Sequence, residues 1–438
     1  MHSATHQAIA AVWRIESAKI VASVARMVRD IGLAEELAQD ALVAALEHWP
    51  TEGVPDKPGA WLMTTAKHRA LDRLRRNKRL DHKLEQIGHD LEAQEALIVP
   101  DFVDALDAAR QDDIGDDLLR LIFTACHPVL SAEARVALTL KLLGGLTTHE
   151  IARAFLVPEA TIAQRIVRAK RTLGEARVPY EVPRGDALAV RLASVLEVVY
   201  LVFNEGYTAT AGEDWMRPEL TREALRLGRV LAELAPAEPE VHGLVALMEL
   251  QASRVAARAD AAGRPVLLLE QDRARWDRLL IRRGLVALER AESLSAARGQ
   301  PLAPYTPYTL QAAIAACHAR ARVASDTDWP RIAALYDALA QTTPSPVVEL
   351  NRAVAVAMAF GPAAGLEIVD ALRDDKSLQH YQWLPSVRAD LLAKLGRAPE
   401  ARAEFERAAA LAGNAREREL LLQRAGEMAA LQGQAPPA

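Results

Sequence analysis

The sequence predicts an all-α protein: two small helical domains in front and a long helical extension behind. Three observations carry this. Half of the 438 residues are hydrophobic while only 5% are aromatic, and the good helix formers Ala, Leu, Arg and Glu dominate. Val, Ile and Thr rarely alternate with polar residues, so strand periodicity is missing. Apolar residues recur instead at helical spacing, broken by clusters of Pro and Gly. A chain of this length is expected to hold two to four domains.

Composition also excludes several classes. The net charge is −5, so nucleic-acid binding has to rest on local basic patches. Two cysteines, Cys126 and Cys317, exclude a disulfide framework and a four-cysteine zinc site. The start of the chain lacks a basic stretch followed by an apolar run, and no apolar stretch is expected to span a membrane, so a soluble cytoplasmic protein is expected. No phosphate loop, nucleophile elbow or metalloprotease helix is present, so no enzyme activity, catalytic residue or cofactor is expected. Cys126-His127 and Cys317-His318 echo each other. Neighbouring residues do not share a helix face and the pairs fall in different predicted domains, so buried cysteines are expected rather than a metal site.

In chain order, residues 9–49 read as helices, with Leu33, Leu37, Ala41, Ala45 and Trp49 on one face. Pro50 to Gly59 supply breakers. The next helix starts near Ala60, with Trp61, Leu62, Ala66, Ala70, Leu71 and Leu74 as its buried stripe. Lys67, His68, Arg69, Arg73, Arg75, Arg76, Lys78 and Arg79 lie outside the stripe. That basic face reads either as a solvated surface or as a helix tracking the phosphates of opened DNA. Residues 84–117 are acidic and read as a linker, extended or partly helical, with an ordinary solvated helix face as the alternative.

Helices resume at 118–143, separated at Pro128 and Ser131 and ended by Gly144 and Gly145. Thr147-Thr148-His149-Glu150 fits a capping box. A short helix, a turn at Leu156-Val157 and Pro158 at the first position of a helix to about Leu173 make a helix-turn-helix signal. In that last helix Ile162, Ile166, Ala169 and Leu173 form the anchoring stripe. Glu159, Thr161, Gln164, Arg165, Arg168, Lys170 and Arg171 occupy the other faces. Arg165 and Gln164 suit guanine and adenine edges, and Arg168, Lys170 and Arg171 suit phosphates. An ordinary amphipathic surface helix is the competing reading.

Pro179, Pro183 and Gly185 mark a boundary. Several helices are expected over 187–300, with breaks at 206–214, 236–239 and 263–265, and Gly299 to Pro307 marks the next boundary. Over 301–431, Asp326, Gly361 and Gly396 fall 35 residues apart. Ala401, Phe405 and Ala408 after Gly396, and Ile332, Tyr336 and Leu339 after Asp326, suggest stacked helix pairs of tetratricopeptide type. The copy around Leu366 and Leu372 fits less well.

Three blocks, 33–49 (LAEELAQDALVAALEHW), 59–76 (GAWLMTTAKHRALDRLRR) and 142–173 (LLGGLTTHEIARAFLVPEATIAQRIVRAKRTL), resemble an extracytoplasmic-function (ECF) sigma factor of bacterial RNA polymerase in order and spacing. The resemblance covers about the first 178 residues, and blocks 199–207, 220–227, 243–250 and 271–277 resemble the extension of a subfamily ending in tetratricopeptide-like repeats. It implies a first domain over 1–83 that docks on polymerase and recognises the minus-ten element. It implies a second over 118–178 that reads the minus-thirty-five element. Polymerase contacts would fall on Glu36, Gln39, Asp40 and Leu42. Minus-ten contacts would fall on Trp61, Lys67, His68, Arg69, Asp72, Arg73, Arg75 and Arg76. Minus-thirty-five contacts would fall on Thr147, Thr148, Glu159, Thr161, Gln164, Arg165, Arg168, Lys170 and Arg171.

The sequence departs from the family pattern at three positions. His68 stands where many members carry Asn near the flipped base, Leu156 where the turn commonly has Gly, and Pro158 where the cap is commonly Ser or Thr. The implied partners are core RNA polymerase, promoter DNA and a regulatory protein or peptide on the repeat domain. The acidic linker would lie in the polymerase's basic channel. The extension would regulate in cis, with Asn204, Glu205, Asp272, Arg273, Trp276 and Asp277 as its candidate functional residues, or as a polar network holding the middle domain together. The rival class is a polymerase-independent helix-turn-helix regulator on a repeat scaffold. An enzyme in the middle domain is a more distant third.

Overall fold

Several helix starts in this chain are set by side chains that take up orphan backbone N–H groups, among them Asp30, Ser131, Asp277, Asp328 and Ser345. In a computed structural model that describes residues 2–86, 110–155, 157–184, 186–208, 216–261, 263–298 and 306–433, all the regular elements are helices, as expected. Arg29 adopts a left-handed conformation (φ 54°) and Asp30 accepts from the Leu33 N–H at 2.9 Å, which splits the 9–49 run into α1 (His2–Val28) and α2 (Ile31–Glu52). Pro50 does not break α2: it sits in the last turn, and Gly53 ends the helix at φ 92°, donating to the Trp49 carbonyl. There follow α3 (Pro58–Gln86), α4 (Arg110–Ala125), α5 (Ala132–Leu142), α6 (Thr148–Phe155), α7 (Glu159–Glu175) and α8 (Asp186–Tyr207).

The chain divides into two compact units, Met1–Val199 and Tyr200–Ala438. In the first, α1 packs against α2, α3 and α4 and touches α5. Leu37, Ala41, Ala45 and Trp49 of α2 and Leu62, Ala66 and Ala70 of α3 are buried as expected. Leu71 is not: it is 38% exposed, because one further residue rotates it about 100° away from the Leu62–Ala66–Ala70 line. The expected acidic linker 84–117 is shortened at both ends, since α3 runs to Gln86 and α4 starts at Arg110. Residues 87–109, with most of its acidic side chains, lie outside the described residues, as does Leu156. Asp117 belongs to the core instead of the linker, at 1% exposure.

The division also falls later than the Pro179–Gly185 break. The front of α8 packs on the first unit: Arg191 donates to the Phe123 carbonyl (2.6 Å), Ser194 to the Cys126 carbonyl (2.6 Å), and Arg135 pairs with Glu197 (2.8 Å). Contrary to expectation, Ala187–Tyr207 is long and apolar enough to cross a membrane. These bonds and the buried Val195, Leu196, Val198 and Val199 make it a core helix.

The second unit continues with α9 (Pro218–Leu234), α10 (Pro239–Ala252), α11 (Arg278–Ala297), α12 (Pro307–Arg320), α13 (Trp329–Thr342), α14 (Pro346–Phe360), α15 (Pro362–Ala371), α16 (Trp383–Lys394), α17 (Ala398–Leu411) and α18 (Ala415–Gly433). Helix α10 is buried nearly all round, against α11 and α12. A Cβ on Gly243 would stand 2.5 Å from Thr309 Oγ1, so glycine is what lets α10 and α12 approach. The expected short break at 263–265 is a much longer non-α-helical stretch, 253–277, carrying two single 3₁₀ turns. From α12 onward each helix packs on its sequence neighbour. Gly361 and Gly396, read as repeat markers, both have positive φ (105° and 75°) where helices end. Ala401, Phe405 and Ala408 are buried in the last core cluster.

His318 of α12 is buried against the edge of Trp329 (ring centroids 5.2 Å), and burial pushes its imidazole pKa from the ordinary 6.5 down to about 3. The unfolded chain therefore binds a proton that the folded chain refuses. Stability from His318 is complete above pH 6.5 and is lost as pH falls toward 3, by up to about 1.4 kcal/mol per pH unit. Glu240, pushed up from 4.5 to about 7 by burial, works in the opposite sense over its own range. Comparison with a His318→Phe variant isolates the histidine. Between pH 7 and 5, denaturant titrations should show the parent losing about 2 kcal/mol relative to the variant; parallel profiles would contradict the assignment.

Candidate functional site

The helix-turn-helix is built from its caps. Thr147 Oγ1 accepts from the Glu150 N–H (3.1 Å) and Glu150 Oε2 accepts from the Thr147 N–H (2.7 Å), the reciprocal pair expected from the sequence. Ile151 and Ala152 of α6 are buried, and so are Ile162, Ile166, Ala169 and Leu173 of α7. Pro158 is the N-cap and not the first helical residue: its ψ of 141° is extended and α7 begins at Glu159. With no side-chain cap there, the Thr161 N–H donates to the Pro158 carbonyl (2.9 Å).

The stripe turns the remaining residues outward. Glu159, Thr161, Gln164, Arg168 and Arg171 are exposed and Arg165 is half-buried. Thr147 is exposed and Thr148 half-buried beside them. Glu159 lies 3.4 Å from His149 Nδ1, and Arg171 pairs with Glu175 at 2.6 Å. Exposed pairs of this kind are worth little and do not hold the arginine back. Lys170, expected on phosphates, is placed differently: its ammonium pairs with the Glu35 carboxylate of α2.

On the first module, Glu36 and Gln39 are exposed and Asp40 and Leu42 half-buried, on the side of α2 away from its core stripe. Gln39 donates to Glu35 (2.9 Å) and Asp40 pairs with Arg69 of α3 (3.4 Å). Trp61 packs edge-on against Trp49 (5.4 Å), which makes it a hinge between core and surface and not a free aromatic. His68, Asp72, Arg73, Arg75 and Arg76 are exposed, and Lys67 and Arg69 half-buried. Arg75 lies 3.8 Å from Asp72, and the Arg76 Nε donates to the Asp72 carbonyl.

Sequence reading missed the groups that join the two modules. Glu35 is buried and receives Lys170 and, at 3.9 Å, Lys141. Asp117 receives Arg26 of α1 (3.3 Å) and Arg120 (2.7 Å). The Tyr180 hydroxyl lies 3.0 Å from the carbonyls of Ala22 and Asp117, and its one proton serves one of them at a time. Burial drives the Tyr180 phenol well above its usual pKa, so it remains a donor. Arg14 meets Glu150 at 3.3 Å. The signal for Glu35 was available: a carboxylate sits among Ala34, Leu37 and Ala38 in the buried stripe.

The extension residues make internal contacts. Asn204 bonds Tyr200, and Glu205 pairs with Arg217. Asp272 caps a 3₁₀ turn through the Ala274 N–H (2.9 Å), and Asp277 caps α11 through the N–H groups of Leu279 and Leu280. Arg273 donates to the carbonyls of His318 and Ala321 and to Thr327 Oγ1. Trp276 is buried. Cys126 is buried against Thr139 with its thiol pushed up to about 11 by burial, the character of a packing residue.

Two DNA-reading helical modules in this order define a promoter-recognition subunit. Residues 16–80 match Sigma-70 region 2 and residues 120–173 match Sigma-70, region 4. Residues 191–292 match a family of unknown function (DUF6596). The chain is 45% identical over 394 residues to an uncharacterized protein of Rhizobium meliloti (strain 1021), spanning 90% of this chain and 89% of that one. It is 31% identical over 160 residues to the ECF RNA polymerase sigma factor SigK of Mycobacterium ulcerans (strain Agy99), 35% of this chain and 78% of that one. It is 29% identical over 175 residues to the probable ECF RNA polymerase sigma factor SigI of Mycobacterium tuberculosis (strain CDC 1551 / Oshkosh), 40% of this chain and 57% of that one. No solved structure matches. The chain belongs to the ECF RNA polymerase sigma factors: it binds core polymerase and promoter DNA and directs promoter-specific initiation.

The capping box positions the reader, so it is a direct handle on the site. Replacing Thr147 by Ala should cost about 1 kcal/mol in urea unfolding, and by Ser only a few tenths. Equal stability of Thr147→Ala and the parent would show that the box carries no load.

Proposed function

We propose that this sigma factor rests in a closed form and initiates transcription only after its two modules part. The observation behind this is the pairing of Lys170, on the minus-thirty-five helix, with buried Glu35 of the first module. Promoter elements centred at minus ten and minus thirty-five are some 25 base pairs apart, roughly 85 Å of duplex at about 3.4 Å each. Two readers sharing one compact unit cannot sit on both. Core polymerase, docking on Glu36, Gln39, Asp40 and Leu42, would supply the surface on which they separate. Lys67, His68, Arg69, Arg73, Arg75 and Arg76 would then hold the opened minus-ten strand beside Trp61 and Asp72. Thr147, Thr148, Glu159, Thr161, Gln164, Arg165, Arg168 and Arg171 would read and position the minus-thirty-five duplex. Unstacking a base costs a few kcal/mol, a reason for a sigma factor to act only with polymerase. The protein would act in the cytoplasm and contribute no catalysis of its own.

The extension is read as a cis regulator that also docks a regulatory protein or peptide. The succession of helices that pack on their neighbours from α12 onward supports a tetratricopeptide-like array. Asn204, Glu205, Asp272, Arg273, Trp276 and Asp277 hold its middle part together, which favours the structural reading of those residues.

Run-off transcription with purified bacterial core polymerase tests the reading. Promoter-specific transcript should require this chain, whereas nanomolar binding to duplex without polymerase would favour the polymerase-independent regulator. Lys170→Met distinguishes a lock from a phosphate contact. A lock predicts several-fold more transcript at limiting protein; a phosphate contact predicts less.

A further inference from the structure

A cavity of about 530 Å³ opens inside the second unit, away from both DNA-reading modules in sequence. Its walls come from the end of α8, the 253–277 stretch, and α14, α16 and α18. Its size is that of a site for a small organic molecule.

The charges lining it are unequal. Arg254, Arg258 and Arg424 face Glu417 alone. Arg424 is answered by Asp390 at 2.7 Å. Arg258 is buried, donates to the Tyr207 carbonyl and Thr208 Oγ1, and lies 3.5 Å from the Tyr207 ring centroid. Glu417 accepts from Gln382 at 2.6 Å. Arg254 is different. Its guanidinium is flanked by the rings of Tyr207 and Trp276, each 5.9 Å from centroid to Cζ, and makes no hydrogen bond or ion pair among the described residues. Its Nε is buried with no partner. A buried N–H without an acceptor is costly unless something supplies one, and the rest of this half-buried guanidinium stays open to an incoming group.

A second orphan lines the same space. Gln271 is 9% exposed; its amide donates to the Val266 carbonyl, and its Oε1 has no partner. The wall also offers an apolar strip, Leu268, Leu420 and Leu421 with the half-open face of Trp383, beside the polar Asn351 and Ser386. One unanswered cation suits a monoanion, and Glu417 opposes a dianion such as phosphate.

We propose that this cavity binds an organic monoacid, its carboxylate on Arg254, a donor group against Gln271, and an apolar body against Trp383 and the leucines. A free amphipathic acid and the C-terminal residue of a peptide share that chemistry. The site would give the extension a chemical input of its own, and its occupancy is independent of whether the front modules act as described above.

Calorimetric titration and thermal melting of the full chain test this with five probes: hexanoate, decanoate, 4-phenylbutyrate, N-acetylleucine and an acetylated hexapeptide ending in a free leucine carboxylate. At least one should bind and raise Tm, and its primary amide should bind at least tenfold more weakly. Arg254→Met should lose tenfold or more of that affinity while the ligand-free chain still folds, since Arg254 gives up only its contacts with the Tyr207 and Trp276 rings, and Arg254→Lys should recover part of it. Binding by the free acids or by the peptide alone identifies the source; either supports the site. No binding by any of the five, equal binding of acid and amide, or equal binding by parent and Arg254→Met overturns the proposal.

Discussion

One carboxylate holds the front of this protein together. Asp117 is almost completely withdrawn from water and is met by Arg26 from α1 and Arg120 from its own helix. A buried carboxylate tolerates loss of its partners poorly, because the desolvation cost then goes uncompensated. The pairing therefore fixes which surface of α4 faces α1. Tyr180 reads the same junction from the far end of the second module, choosing between two carbonyls on α1 and α4. Everything between residues 118 and 180, including the recognition helix, is registered against the first module through this junction and through Glu35.

Local rules carried far in this chain. The capping box at Thr147 and Glu150, the stripe Ile162–Ile166–Ala169–Leu173 and the helix content follow from spacing and propensity, which act over a few residues. What stayed hidden was non-local. Nothing within a few residues of Lys170 says that Glu35 will take its charge, and on periodicity alone it sits with the other basic residues of α7. Pro158 shifted by one position for a similar reason: its fixed φ suits both the N-cap and the first helical residue, and the extended ψ decides. The anchoring of the front of α8 is non-local in the same way: its Arg191, Ser194 and Glu197 bond Phe123, Cys126 and Arg135, far from it in sequence.

The stretch 253–277 shows the same limit from the other side. It has the Gly and Pro of an ordinary break, yet its polar residues form the junction of the middle helices. Arg273 reaches three acceptors on and after α12, and Asp277 starts α11. Such networks specify one arrangement of helices that apolar surfaces alone would leave degenerate. Arg254, in the same stretch, is left out of that network.

If the two modules part as proposed, the Glu35–Lys170 pair would also make ionic strength an input. The pair is largely shielded, with side-chain exposures of 7% and 24%, whereas Arg168 and its neighbours would meet phosphates at an exposed surface. Dissolved salt screens exposed charges much more than shielded ones. Concentrated salt therefore weakens the attraction to DNA while leaving the intramolecular pair nearly intact. Under the opening proposed above, the balance between the two states would tilt with the ionic strength around the protein.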